Sequence, residues 1–276
     1  MENTQTLTKY NMEITLETLK ARPLSYSSLI AFKRSPLHYM QYLVEKRKAT
    51  PAMAMGSLID CLLLTPDKYE DRYIIKPDFS KGEGVRARAK AWEEENKGKT
   101  WISDVMLAEA KLIVLAVQKN PISKEYIDQV TASQKKIEWT DKETGLPMIA
   151  YLDLESEKFI ADLKSTADAH PEEFMKSAFN FDYHIQTAIY LDAAAHRGKF
   201  PDFYHIAVEK KAPYGVSVLK SSKQFIELGT QEYRKLLQEF KFCMEHNLWD
   251  QSYEFRAPAG YYQMELPGWA LNKISK

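Results

Sequence analysis

The chain has 276 residues, 45% of them hydrophobic, with 38 basic and 38 acidic side chains. That apolar content can bury the core of one large domain and excludes a disordered chain. The zero formal net charge excludes a polycation that holds nucleic acid by bulk charge, so any DNA contact must come from a local surface. Two cysteines, Cys61 and Cys243, are too few for a disulfide framework or a four-thiolate metal site, and both sit in apolar surroundings that predict buried thiols. No run approaches the roughly 18–20 apolar residues that cross a bilayer, and the start MENTQTLTKYNME lacks the order of a secretion signal. The expectation is a cytoplasmic protein with no membrane partner.

Taken in chain order, LSYSSLIAFKRSPLHYMQYLVEKR reads as helical, with Ser25 placed as a cap. A second helix is expected over Ala54 to Leu64. KGEGVRARAKAWEEENKGK predicts a glycine-bearing loop leading into a short charged helix, and Arg86, Arg88 and Lys90 there form the strongest basic patch. A longer helix follows near Asp104 to Gln118. At Gln134 the period changes. QKKIEWTD, PMIAYLDLES and KFIADLKS alternate as strands, separated by the turn-forming DKETGL and by Glu157–Lys158, which implies an antiparallel meander. One long helical stretch, PEEFMKSAFNFDYHIQTAIYLDAAAHR, is expected next, with Pro171 in its first turn and Gly198 past its end. Two further strands, FYHIAVEK and YGVSVLKS, precede a helix from Lys223 to Asn247, and the tail APAGYYQMELPGWAL reads as an irregular extension that packs. This order predicts an α/β (α+β) domain spanning 1–276, with a mainly helical part over about 1–120, a core of one mixed sheet flanked by helices over about 130–250, and a tail over 251–276.

Chemistry concentrates on the second and third strands of the meander. Residues two apart share a sheet face, so Asp162 and Lys164 lie side by side, and Asp153 on the preceding strand can approach Asp162 across the ladder. Glu138 on the first strand offers a further carboxylate. An alternating Asp and Lys is also a common solvated charge pair, but Asp153 stands in the apolar run MIAYLDL, where a carboxylate needs a reason. Gathered carboxylates repel unless a cation sits among them. Hard oxygen donors with no histidine or cysteine at ligand spacing select Mg²⁺, or Mn²⁺, over zinc. That combination points to phosphodiester hydrolysis, with the Leu163 backbone carbonyl as another ligand and Lys164 steadying the water or the phosphate. None of the six histidines shows paired metal spacing.

Asp153, eight intervening residues, then Asp162-Leu163-Lys164 resembles the PD-(D/E)XK nuclease motif, and Gln186 with Tyr190 resembles the QxxxY motif of its RecB-type branch. More closely, LSYSSL, GSLIDCLLLTPDKYEDRY, DLKSTADAHPEEFMKSAFNFDYHIQTAIYLDA and ELPGWAL resemble the RecE-like (exonuclease VIII) family of phage and prophage recombination exonucleases. The resemblance implies a restriction-endonuclease-like core and a Mg²⁺-dependent exonuclease that digests double-stranded DNA ends 5′ to 3′. It would leave 3′ overhangs for a RecT-type annealing partner in a bacterial host. It further implies a homo-oligomeric ring, trimeric or tetrameric. Asp153 and Asp162 would be metal ligands, Lys164 the catalytic lysine, and Glu138, Gln186 and Tyr190 supporting members of the site. Leu152 replaces the motif's proline, and Asp60 stands where relatives carry a histidine that reaches the metal, so aspartate would take that role. A catalytically inactive DNA-binding accessory protein is the alternative. An iron–sulfur nuclease needs four cysteines and is excluded.

Overall fold

The structure is a computed structural model that describes residues 19, 21–45, 50–80, 84–257 and 259–266. The described residues form two compact units. One draws on residues 1–46, 141–147 and 234–276, the other on 47–140 and 148–233.

In the first unit, α1 (Tyr26–Arg34) begins at Ser25, whose Oγ accepts the Ser28 N–H at 3.3 Å while Ser28 Oγ accepts the Ser25 N–H at 2.8 Å. This reciprocal cap satisfies donors that a helix start leaves open. The continuous helical run expected here stops at Ser35, which is extended (φ −176, ψ 164). The ring of Pro36 disfavours helical backbone in the residue before it. Pro36 then opens α2 (Pro36–Val44). Arg256 closes the other end of α1, donating to the carbonyls of Lys33 (3.1 Å) and Phe32 (3.3 Å) while pairing with Glu239 at 2.6 Å. The buried rings of Phe32, Tyr39, Phe240 and Trp249 form the core of this unit, with Phe32 edge-on to Phe240 at 5.0 Å. The tail is irregular as expected, but it is mostly exposed, with Met264 98% accessible. Among its described residues, the Tyr262 hydroxyl donates to the Tyr253 carbonyl at 2.9 Å and the Gly260 N–H to the Ala257 carbonyl at 2.8 Å. The PGWAL segment lies outside the described residues.

Asp141, at the hairpin turn, is buried. Its carboxylate accepts the N–H (2.8 Å) and hydroxyl (2.6 Å) of Thr144 and pairs with Arg234. Burial alone would raise its pKa, but Thr144 and Arg234 together hold it below the 3.8 of a free aspartate. A carboxyl depressed in this way stabilises the fold fully above its unfolded pKa, and the contribution is lost as pH falls through the folded value. Asp141→Ala should therefore cost about 3 kcal/mol at pH 7 in urea denaturation. The gap from wild type should narrow once the pH drops below about 4.

The second unit begins with α3 (Pro51–Leu64), capped by Thr50 with Pro51 in its first turn. After α4 (Tyr69–Arg72), β1 (Tyr73–Ile75) pairs in parallel with β2 (Thr100–Ile102) around α5 (Val85–Glu95). These three-residue strands are too short to show a period, so neither is legible in the sequence. α6 (Asp104–Lys119) and α7 (Pro121–Ile127) follow.

Five strands then form one sheet in sequential order: β3 (Ala132–Thr140), β4 (Pro147–Glu155), β5 (Phe159–Thr166), β6 (Asp202–Glu209) and β7 (Val216–Lys220). The pairs β4–β5 and β6–β7 are antiparallel, while β5–β6 is parallel. A parallel pair needs a long crossover. Here it consists of two helices rather than the single one expected, α8 (Pro171–Asn180) and α9 (Tyr183–Ala195). The break falls at Asp182, in left-handed backbone (φ 58), a conformation that aspartate tolerates better than most residues. Gly198, also left-handed, follows the end of α9. The last helix, α10, runs Lys223–His246.

Ala161 and Leu163 of β5 pack with Ile206 and Val208 of β6 against Leu58 and Leu64 of α3 and Ile113 and Val117 of α6. Both cysteines are buried. Because faces alternate along a strand, Asp162 and Lys164 point to the opposite layer, covered by α9. The architecture is a mixed α/β core with helices on both sheet faces.

Candidate active site

The β4–β5 ladder pairs Leu154 with Ala161 and Glu155 with Ile160. One step further, Asp153 and Asp162 come abreast. There the Asp153 carboxylate itself accepts the Leu163 N–H at 3.1 Å, a donor that a regular ladder would give to a strand carbonyl. In extended backbone the N–H and C=O of one residue point to the same edge. The Leu163 carbonyl therefore faces the gap that holds Asp153.

Asp162, 1% exposed, accepts a hydrogen bond at Oδ1 from Gln186 Nε2 at 3.1 Å. Its Oδ2 has Lys164 Nζ at 2.5 Å as an ion partner, without an aligned hydrogen bond. Gln186 also donates to the Tyr190 hydroxyl at 2.9 Å, and both residues are buried. They are not a solvated pair on an amphipathic helix. The four-residue spacing on α9 stacks them on one face and aims them at Asp162. Lys164 Nζ lies 4.7 Å from the ring centroid of Tyr183, at the start of the same helix.

Charge accumulates at this point. Burial, then Asp162 and Asp60, push the Asp153 carboxyl well above its ordinary range, against the pull of Lys164. Burial and then Asp162 lift Asp60 to about 7, again opposed by Lys164. Burial works against the Lys164 ammonium, but Asp162 and Asp153 outweigh it and hold the side chain firmly charged. Burial and the two aspartates keep Tyr190 a neutral phenol. Three carboxylates around one ammonium leave a surplus of negative charge in a desolvated place, and one Asp162 oxygen there lacks a hydrogen bond. This hard-oxygen set fits a divalent cation.

Glu138 is elsewhere. It is exposed and pairs with Lys136 at 2.9 Å. Asp141 N–H bonds the Leu146 carbonyl across the turn, and counting outward from that pair sets Gln134, not Glu138, opposite Asp153. At a strand rise of about 3.3 Å per residue, Glu138 sits about 13 Å further along. Gln134 Nε2 donates to Asp153 Oδ1 at 2.9 Å, from a residue in left-handed backbone (φ 49). Arg86, Arg88 and Lys90 lie exposed on α5, the short charged helix expected after the glycine-bearing loop. At 100° per residue Arg88 points about 200° from Arg86, so the three do not form one patch.

A family model described as "PDDEXK-like domain of unknown function (DUF3799)" matches residues 25–254, most of the chain. The chain belongs to this PDDEXK-like family. The matched stretch includes Asp60, Asp153, Asp162, Lys164, Gln186 and Tyr190. Among solved structures, the chain is similar to a crystal structure of a protein from Eubacterium rectale titled "Putative exonuclease", at 13% sequence identity. The match covers 100% of both chains with a TM-score of 0.55. At that identity the likeness concerns the fold. No curated protein matches the sequence.

The PDDEXK-like core contains residues that the sequence reading does not assign to the site. Gln134 was legible in principle from the turn count above. Tyr183 has no local signal, since its contact with Lys164 depends on where α9 lands. His205 pairs in register with Asp162 across β5 and β6. Burial, partly offset by Asp162, lowers it to about 4, and it is packed among Phe174, Tyr183, Phe203 and Phe225. It is a neutral core histidine.

Proposed function

We propose that the chain is a Mg²⁺-dependent nuclease acting on the ends of double-stranded DNA. The observation that carries this reading is the meeting of Asp153, Asp162, Asp60 and Lys164 at the β4–β5 divergence, with Gln186 holding Asp162 from behind. Asp60, Asp153, Asp162 and the Leu163 carbonyl would hold the cation, with Asp60 in place of the histidine expected from the resemblance. When bound, a cation in this set supplies Lewis-acid charge for the phosphodiester and acidifies an attacking water. Lys164, held charged, donates hydrogen bonds to a phosphate oxygen or orients the water. Gln186 fixes which oxygen of Asp162 faces inward, and Gln134 with the Leu163 N–H does the same for Asp153.

The finer reading is an exonuclease of 5′ to 3′ polarity. It would leave 3′ overhangs for a RecT-type annealing protein in phage-type recombination, and would work as a trimeric or tetrameric ring in the bacterial cytoplasm. It rests on the family resemblance and on the neutral net charge, because a chain that does not hold DNA by bulk charge gains residence from encircling it. Arg86 and Lys90, one turn apart on α5, remain candidates for phosphate contact. Linear duplexes labelled at either the 5′ or the 3′ end test this. The expected result is Mg²⁺-dependent release of 5′ label first and an intact closed circle. Release of 3′ label first would overturn the polarity, and cutting of the circle the exonuclease assignment. Full-strength duplex binding with no cleavage of any substrate would favour the inactive accessory reading.

A further inference from the structure

Behind the site, where α9 begins, a second group of ligand-bearing side chains converges. His184 is 1% exposed, and neither ring nitrogen has a hydrogen-bond partner. Its Nε2 lies 3.4 Å from Glu232 Oε1 and 3.9 Å from Asp182 Oδ1. A buried imidazole without a hydrogen bond is costly, and this one points a nitrogen between two carboxylates without aligning on either. The ring is held from both sides, stacked on Phe179 at 5.4 Å and met edge-on by Phe225 at 5.8 Å. Two backbone features create the convergence. The left-handed turn at Asp182 brings it beside its own i+2 neighbour. Gly229 lets α10 press so close that a Cβ there would lie 1.9 Å from the His184 carbonyl oxygen, and Glu232 follows one turn later.

We propose that Asp182, His184 and Glu232 form a second cation site, for a first-row transition ion such as Zn²⁺. One nitrogen and two carboxylate oxygens suit that class better than Mg²⁺. With ligand bonds of about 2.0–2.2 Å, neighbouring ligands on a tetrahedral centre stand about 3.4 Å apart; His184 Nε2 has the carboxylates at 3.4 and 3.9 Å, and all three donors lie within 4.8 Å of one another. Both carboxylates are part exposed, at 22% and 32% of their side chains, so water can complete the shell. The ion would tie the start of α9 to α10 just ahead of Gln186, bracing the helix that holds Asp162. This assignment stands on its own geometry and holds whether or not the chain cleaves DNA.

The test is Zn²⁺ binding to the metal-stripped chain, read by calorimetry and elemental analysis for wild type, Glu232→Gln and Asp162→Asn. Glu232 is part exposed, so the isosteric change should keep the fold, checked by circular dichroism. Glu232→Gln should bind one equivalent fewer than wild type, or bind it at least tenfold more weakly, while Asp162→Asn keeps that equivalent. Binding by Glu232→Gln equal to wild type would overturn the site, as would loss of all Zn²⁺ from Asp162→Asn. Should Glu232→Gln misfold, Asp182→Asn is read against the same outcomes.

Discussion

Lys164→Ala is expected to reduce Mg²⁺-dependent cleavage of duplex DNA by about 10³-fold or more, the scale on which a preorganised donor to a developing oxyanion acts. The same change should leave metal binding intact or tighter. Lys164 Nζ lies 2.5 Å from Asp162 Oδ2, and removing it leaves Asp60, Asp153 and Asp162 with no counter-charge except a cation. The variant therefore has a two-part signature: Mg²⁺ should raise its melting temperature at least as much as that of wild type, while single-turnover cleavage collapses. A solvated pair on one strand behaves differently, since its loss costs about 0–1 kcal/mol and leaves cleavage unchanged. Lys164→Arg should not restore the rate. The side chain is 18% exposed, confined between Asp162 and the ring of Tyr183, and a planar guanidinium does not replace a compact ammonium there.

Gly229→Ala should give the largest loss of stability from a single added methyl group. The new Cβ would meet the carbonyl carbon and oxygen of His184 at 2.5 and 1.9 Å and the Ala188 Cβ at 3.3 Å. Two of these are backbone atoms that no rotamer change can move, so the helices must separate. The cost should be about 3 kcal/mol in urea denaturation, although alanine is the better helix former at an ordinary position. Separation also displaces the start of α9, which carries Tyr183 and Gln186. A shift of about 1 Å in a positioning element can cost about 10²-fold in rate. Cleavage by the folded fraction should therefore fall along with stability. Unchanged stability would mean that α10 does not press on α9 here.

Much of the site was legible because its signals are local. The switch to two-residue alternation at Gln134 marked three strands, and that alternation put Asp162 beside Lys164 and Asp153 within reach. The four-residue spacing put Gln186 and Tyr190 on one helix face. What stayed hidden depends on backbone turns or on register. Asp182 splits what reads as one helix because its left-handed backbone is a single-residue event inside a helical pattern. Glu138 looked suitable by residue type, and only the hairpin count exchanges it for Gln134. The trio Arg86, Arg88 and Lys90 reads as one basic patch but is dispersed by helical rotation. His184 could not be found from spacing at all, since Glu232 reaches it from a helix that begins 39 residues later.

The resemblance and the geometry converge on Asp60. The GSLID segment identifies the position, and the structure brings that aspartate within electrostatic reach of Asp153 and Asp162, near enough for burial and Asp162 to raise it to about 7. If the cluster holds a cation as proposed, a third carboxylate at this place would make it more dependent on that cation than a histidine would, because a neutral imidazole brings no charge of its own.

The most direct measurement is digestion of linear duplex DNA by wild type and Asp162→Asn, each with Mg²⁺ and with EDTA. Cleavage should occur in one arm alone, wild type with Mg²⁺, with Asp162→Asn folded and at least about 10³-fold slower. Cleavage by wild type in EDTA, or equal rates for the two proteins in Mg²⁺, would contradict a metal-dependent site built on Asp162.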